Sequence, residues 1–132
     1  MGIRVLIVDD SSTIRKIISR CLQAGELDVT EVCEAGNGQE ALDALSRLRV
    51  NVVLADINMP KMDGLQLLAE IRQNRAWHDI PVLMITSESS AVSVREAINR
   101  GAAGYIRKPF TSSEIRSQLM PVLKIVPAHD LN

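Results

Sequence analysis

Val52-Val53-Leu54-Ala55-Asp56-Ile57-Asn58-Met59-Pro60 is the stretch that decides the fold. Four apolar residues follow one another without polar alternation, as expected of a strand covered on both faces within a parallel sheet. The run stops at an aspartate. Downstream, Val82–Ile85 repeats the pattern behind Pro81, and upstream Arg4–Val8 runs into Asp9-Asp10. Val29–Ala35 and Tyr105–Arg107 complete a set of five short runs rich in β-branched residues.

Between these runs the apolar period changes from that of a strand to that of a helix. Ile14, Ile17, Ile18, Cys21 and Leu22 form an i, i+3, i+4, i+7, i+8 stripe, and Ala41, Leu42, Leu45 and Leu48 form a second. Asn37 with Glu40 three residues on predicts the N-terminus of that second helix. Asp63 predicts the cap of a third, carrying Leu65, Leu68 and Ile71 inward. Val94, Ala97 and Ile98 mark a short fourth helix ended by Gly101. Thr111-Ser112-Ser113-Glu114 is a capping box for a fifth, whose stripe is Ile115, Leu119, Val122 and Leu123. Pro121 is expected to bend or shorten that helix. Five strands alternating with five helices predict an α/β, doubly wound parallel sheet with right-handed crossovers. Residues 1–124 are read as one domain, and 125–132 as a short C-terminal tail.

Bulk properties exclude several classes of function. A chain of 132 residues has the size of one domain. Its net charge of −1 gives no bulk attraction for nucleic acid. No apolar run approaches the roughly 20 residues of a membrane span, and the first residues lack a signal-peptide pattern. A cytoplasmic location is therefore expected. Only 2% of residues are aromatic, so Leu, Ile, Val and Ala must fill the core. Cys21 and Cys33 have no metal-ligand or CxxC spacing and read as reduced thiols.

The polar residues that end the strands carry the chemistry. Ligands of open α/β sheets bind beyond the carboxyl ends of the strands. Here those ends carry Asp9-Asp10, Asp56, Thr86-Ser87 and Lys108-Pro109. Carboxylates gathered at one place repel each other and call for a cation. Mg²⁺ suits an all-oxygen donor set of this kind. Three acids, one lysine and one divalent cation come close to neutrality. Such a site suits an aspartyl nucleophile that takes a phosphoryl group, with Mg²⁺ and Lys108 neutralising the phosphoryl oxygens.

Val8-Asp9-Asp10, Ala55 to Pro60 with Met62-Asp63-Gly64, Thr86-Ser87, Gly101-Ala102 with Gly104-Tyr105, and Lys108-Pro109-Phe110 together resemble the response-regulator receiver family. The likeness runs from about Ile3 to Leu123, and its nearest form is the CheY-type single-domain regulator. That resemblance implies the flavodoxin-like strand order 2-1-3-4-5, for which CheY is a standard instance. It implies Asp56 as phosphoacceptor, Asp10 and Asp56 as direct Mg²⁺ ligands, Asp9 as a ligand largely through water, and Asn58 as a ligand through its backbone carbonyl. Lys108 and Thr86 match the catalytic lysine and the switching hydroxyl, and Tyr105 the aromatic that follows Thr86. Asn58 and Glu88 match residues that tune dephosphorylation, and the Lys108–Pro109 peptide is expected to be cis.

The function implied is a stand-alone, monomeric two-component response regulator, a signalling phosphoacceptor rather than a turnover enzyme. It would take phosphate from a histidine kinase and change its affinity for a protein target at the face of the fourth helix, fifth strand and fifth helix, with chemotaxis the leading pathway. CheY-type regulators of flagellar chemotaxis carry lysines at the start of the fourth helix, where this chain has Ser90 and Ala91. The resemblance therefore does not extend to motor binding, and Pro121 alters the same face. An aspartyl phosphatase of the haloacid-dehalogenase kind needs a second acid where Asn58 stands. A receiver scaffold used only for phosphorylation-independent docking remains the alternative.

Other residues have plainer readings. Asp63 reads as a cap rather than a ligand, and Gly64 as a loop-to-helix residue. Trp77 is expected to pack between the third helix and the fourth strand. Met59, Met62 and Met84 read as packing residues, and His78 and His129 as solvated.

Overall fold

Five strands and five helices alternate along the chain in a computed structural model that describes residues 2–24, 27–87 and 90–123. The strands are β1 (Ile3–Val8), β2 (Val29–Ala35), β3 (Val52–Ala55), β4 (Val82–Thr86) and β5 (Gly104–Arg107). The helices are α1 (Ser12–Gln23), α2 (Gly38–Arg47), α3 (Gly64–Gln73), α4 (Ala91–Asn99) and α5 (Ser112–Val122). All strand pairs are parallel, and the sheet order is β2-β1-β3-β4-β5.

Strand pleating divides the core into two clusters, because successive side chains point to opposite faces. Leu6, Val8, Val53, Ala55, Val82 and Met84 face α2, α3 and α4, where they meet Ala41, Leu45, Leu67, Leu68, Ile71 and Ala97. Val5, Ile7, Val52, Leu54, Leu83, Ile85 and Ile106 face α1 and α5 and meet Ile18, Leu22, Ile115 and Leu119. Every residue of β3 and β4 is buried, which is why those two runs show no polar alternation. Trp77, Met59 and Met62 pack on the first cluster, and Met84 lies within it.

The helix starts are fixed by the side chains that precede them. Ser11 Oγ accepts from Ile14 N–H, and Ser90 Oγ from Ser93 N–H. Asp63 with Gln66, and Thr111 with Glu114, form complete capping boxes. Asn37 accepts from Glu40 N–H, but the Glu40 carboxylate turns to Gly36 N–H instead of closing a box. Pro121 lies inside α5, which ends one residue later.

Two apolar residues counted into helix stripes are largely outside the core. Ile17 is 40% exposed and Ile98 48% exposed, and Ala97 is the buried residue of α4. Each sits on the rim of its stripe, where the sheet no longer covers it. His78 is exposed and its Nδ1 lies 2.9 Å from Asp79 Oδ1. Cys21 and Cys33 are free thiols. His129 and the tail 125–132 lie outside the described residues.

One guanidinium locks the loops on the far side of α3. Arg72 donates to the carbonyls of Gly101, His78 and Ile80, with Nη1 2.7 Å from Ile80 O and Nη2 2.8 Å from Gly101 O. Burial pushes the Arg72 pKa down. This clamp fixes the α4–β5 turn, where Gly101 takes a φ of +101°, and so sets where β5 and Tyr105 begin.

Candidate cation and phosphoacceptor site

The sheet delivers its polar residues by extending its own ladder one step past the strands. Asp9 N–H donates to Ala35 O at 3.1 Å, Asp56 N–H to Val8 O at 2.9 Å, and Lys108 N–H to Thr86 O at 2.9 Å. β1 lies between β2 and β3, so the chain leaves it in opposite directions and a crevice opens at its carboxyl end. Asp9, Asp10 and Asp56 come together there, with carboxylate oxygens that all lie within 4.8 Å of one another. Asp9 and Asp56 are buried, whereas Asp10 is exposed.

Lys108 crosses the crevice to join them. Its Nζ lies 2.7 Å from Asp9 Oδ2 and 3.2 Å from Asp56 Oδ2. Burial alone would lower the Lys108 pKa, but the hydrogen bonds and charges of Asp9 and Asp56 outweigh it and hold the pKa above the usual lysine value. The ammonium therefore stays charged at neutral pH. The remaining carboxylate oxygens are oriented by the backbone: Asp9 Oδ1 accepts from Ser11 N–H at 2.9 Å, and Asp56 Oδ1 from Asn58 N–H at 3.3 Å.

Three carboxylates against one ammonium leave an excess of two negative charges in a partly buried place. That excess and the all-oxygen donor set fit a hard divalent cation such as Mg²⁺. The carboxylates of Asp9, Asp10 and Asp56 would hold it, and when bound it would neutralise oxygens of a phosphoryl group brought to the crevice.

The structure places the other sequence-derived residues around this cluster. Thr86 is fully buried at the end of β4. In the β4–β5 register Met84 pairs with Tyr105 and Thr86 with Arg107, which puts Thr86 and Tyr105 on one face of the sheet as diagonal neighbours. Tyr105 packs on the first core cluster, opposite in direction to Ile106. Asn58 is exposed in the loop after Asp56. Glu88 lies outside the described residues. The Lys108–Pro109 peptide is cis. Asp63 is a cap, not a member of the acidic cluster.

Two features of the β3–α3 loop escape a reading by residue type. Lys61 has a φ of +69°, and Met62 N–H donates across it to Pro60 O at 2.8 Å, which makes a γ-turn. This left-handed conformation is strained for a non-glycine residue; Met62 anchors it by packing over Gly38. Gly64, the first residue of α3, lies against the loop that follows β3 so closely that a Cβ there would sit 2.1 Å from Asp56 O. Its N–H donates to Ile57 O at 2.7 Å.

Comparison with known proteins agrees with this geometry. The family model described as the response regulator receiver domain matches residues 5–120. A chemotaxis protein CheY homolog of Campylobacter jejuni is 40% identical over 121 residues, covering 91% of this chain and 92% of the relative. Among solved structures, the chemotaxis protein CheY4 of Vibrio cholerae superposes with a TM-score of 0.83 at 34% identity, covering 92% of this chain and 99% of that one. A CheY-like receiver domain protein of Methanospirillum hungatei does so with a TM-score of 0.83 at 27% identity, covering 94% and 95%. No helix among the described residues is long and apolar enough to cross a membrane. The chain thus belongs to the response-regulator receiver family, as a phosphorelay domain that is phosphorylated on an aspartate and partners a histidine kinase, a signalling phosphoacceptor and not a turnover enzyme.

Proposed function

We propose that Asp56 is the residue that carries the phosphoryl group. The observation that carries this reading is the Lys108 ammonium bridging Asp9 and Asp56 inside the acidic cluster. An Asp56 carboxylate oxygen attacks the phosphorus as the bond to the donor histidine nitrogen breaks. The bonding pair leaves with the imidazole, which takes up a proton from solvent. Lys108 moves its charge from Asp56 to a phosphoryl oxygen as the transfer proceeds. Mg²⁺ would be held by the carboxylates of Asp10 and Asp56, with Asp9 assisting through water and Asn58 offering its backbone carbonyl.

The new phosphoryl oxygens also give Thr86 an acceptor. Its hydroxyl turns toward them, and Tyr105, on the same face of the sheet, follows into the space released. Phosphate can shift this equilibrium only as far as it binds one arrangement better than the other. The readout surface is the face formed by α4, β5 and α5, and its target is a protein. Asn58 and Glu88 set the access of water to the acyl phosphate. By likeness to its named relatives the chain serves chemotaxis, as a cytoplasmic, monomeric regulator whose receiver unit is residues 1–124.

Acetyl phosphate and Mg²⁺ test the chemistry without a kinase. Intact-mass measurement is expected to show one added phosphoryl group, absent when EDTA replaces Mg²⁺. Labelling that ignores chelation would contradict the metal-assisted reading. Multiple-turnover hydrolysis of phosphomonoesters would contradict the phosphoacceptor reading.

A further inference from the structure

We propose that Arg15 is a positioning residue for the cation-binding acids, a role that rests on the site reading given above. Arg15 projects from the first turn of α1, and its side chain is 18% exposed. Nη1 donates to the backbone carbonyl of Asp9 at 2.5 Å, and Nε donates to Glu34 Oε1 on β2 at 2.8 Å. The Asp9 carbonyl and the Asp10 N–H belong to one rigid peptide plane. Holding the oxygen therefore holds the plane from which Asp10, the exposed acid of the cluster, departs.

Without that hold, Asp10 is secured among the described residues by its neighbours: the ladder bond from Asp9 N–H to Ala35 O, and the turn closed by Ser11 N–H on Asp9 Oδ1. Arg15 also differs from Lys108 in what it leaves untouched. Lys108 binds carboxylate oxygens of Asp9 and Asp56, whereas Arg15 binds a main-chain oxygen and leaves all the acid side chains available to a cation. Glu34 compensates its charge, so the guanidinium orients the acids without repelling what they bind. Groups that orient ligands from behind in this way set metal affinity. The fork of an arginine suits the task because two acceptors must be reached from one rigid group.

The test is calorimetric titration of Mg²⁺ into the full chain, paired with urea unfolding in EDTA. Wild-type protein is expected to bind Mg²⁺ saturably, and Asp10→Asn to lose that binding. Arg15→Ala is expected to bind about tenfold more weakly, and Arg15→Lys to fall between, since a lysine keeps the charge but lacks the fixed fork that sets Nε on Glu34 and Nη1 on the Asp9 carbonyl. If Arg15→Ala does not fold, Arg15→Lys against wild type makes the same comparison. Wild-type affinity in the variant that folds would overturn the role of Arg15 alone, and so would lost stability in EDTA with Mg²⁺ affinity intact. Absence of Mg²⁺ binding by the wild type would overturn the site reading together with it.

Discussion

Asp56→Asn is expected to reduce phosphorylation by acetyl phosphate to the level of a blank reaction, while the protein remains folded. The substitution is nearly isosteric, but its single amide oxygen accepts from either the Asn58 N–H or Lys108 and not from both, while Lys108 keeps its bond to Asp9. What disappears is the nucleophile, because a neutral amide oxygen does not form a stable bond to phosphorus under these conditions. One charge also leaves a cluster in which three acids face one ammonium. Removal of like-charge repulsion offsets the weaker pairing of Lys108. Urea unfolding should therefore place the variant within about 1 kcal/mol of wild type. Undiminished labelling of the folded variant would remove Asp56 from the role assigned to it.

Gly64→Ala should be almost as damaging, although Gly64 bears no functional group. A Cβ at this position meets Asp56 O at 2.1 Å, and Asp56 C and Ile57 Cα at 2.8 Å. These are backbone atoms, so no side-chain rotation relieves the clash. Gly64 does not have a positive φ, so the requirement is for space and not for an unusual conformation. Either α3 withdraws or the loop after β3 moves, and the bond from Gly64 N–H to Ile57 O is lost in both cases. The expected cost is about 2–3 kcal/mol in urea unfolding. Displacement of the acceptor carboxylate by about 1 Å is expected to slow phosphorylation on the order of 10²-fold. A variant that retains both wild-type stability and wild-type rate would contradict the role given to this close approach.

The fold was legible because its signals are local. Val52–Ala55 and Val82–Ile85 lie between two layers of helices and read as unbroken apolar runs. Asp63 and Thr111 announce their helices through a partner three residues on. Stripe edges were less legible: Ile17 and Ile98 have the helical spacing of core residues yet sit beyond the cover of the sheet, which depends on how far each helix extends over it. The acids and Lys108 could be gathered because each follows a strand, and parallel strands bring their carboxyl ends to one edge. Arg15 and Gly64 could not. Their roles lie in contacts through space, one to the carbonyl of Asp9 and the other to the carbonyl of Asp56, and neither contact leaves a pattern in spacing or residue type. Gly64 announced a helix start and hid a close approach behind it. The strand order likewise came from likeness to a family, because alternation alone does not say which side of β1 the third strand joins.

One covalent bond carries the switch, and its position can be read directly. Protein phosphorylated with acetyl phosphate and Mg²⁺ can be reduced with borohydride, which converts a phosphorylated aspartate to homoserine, and then digested and sequenced by mass spectrometry. Homoserine is expected at position 56, with unaltered aspartate at positions 9 and 10. Homoserine at either of those positions, or phosphate retained on another type of side chain, would contradict that expectation.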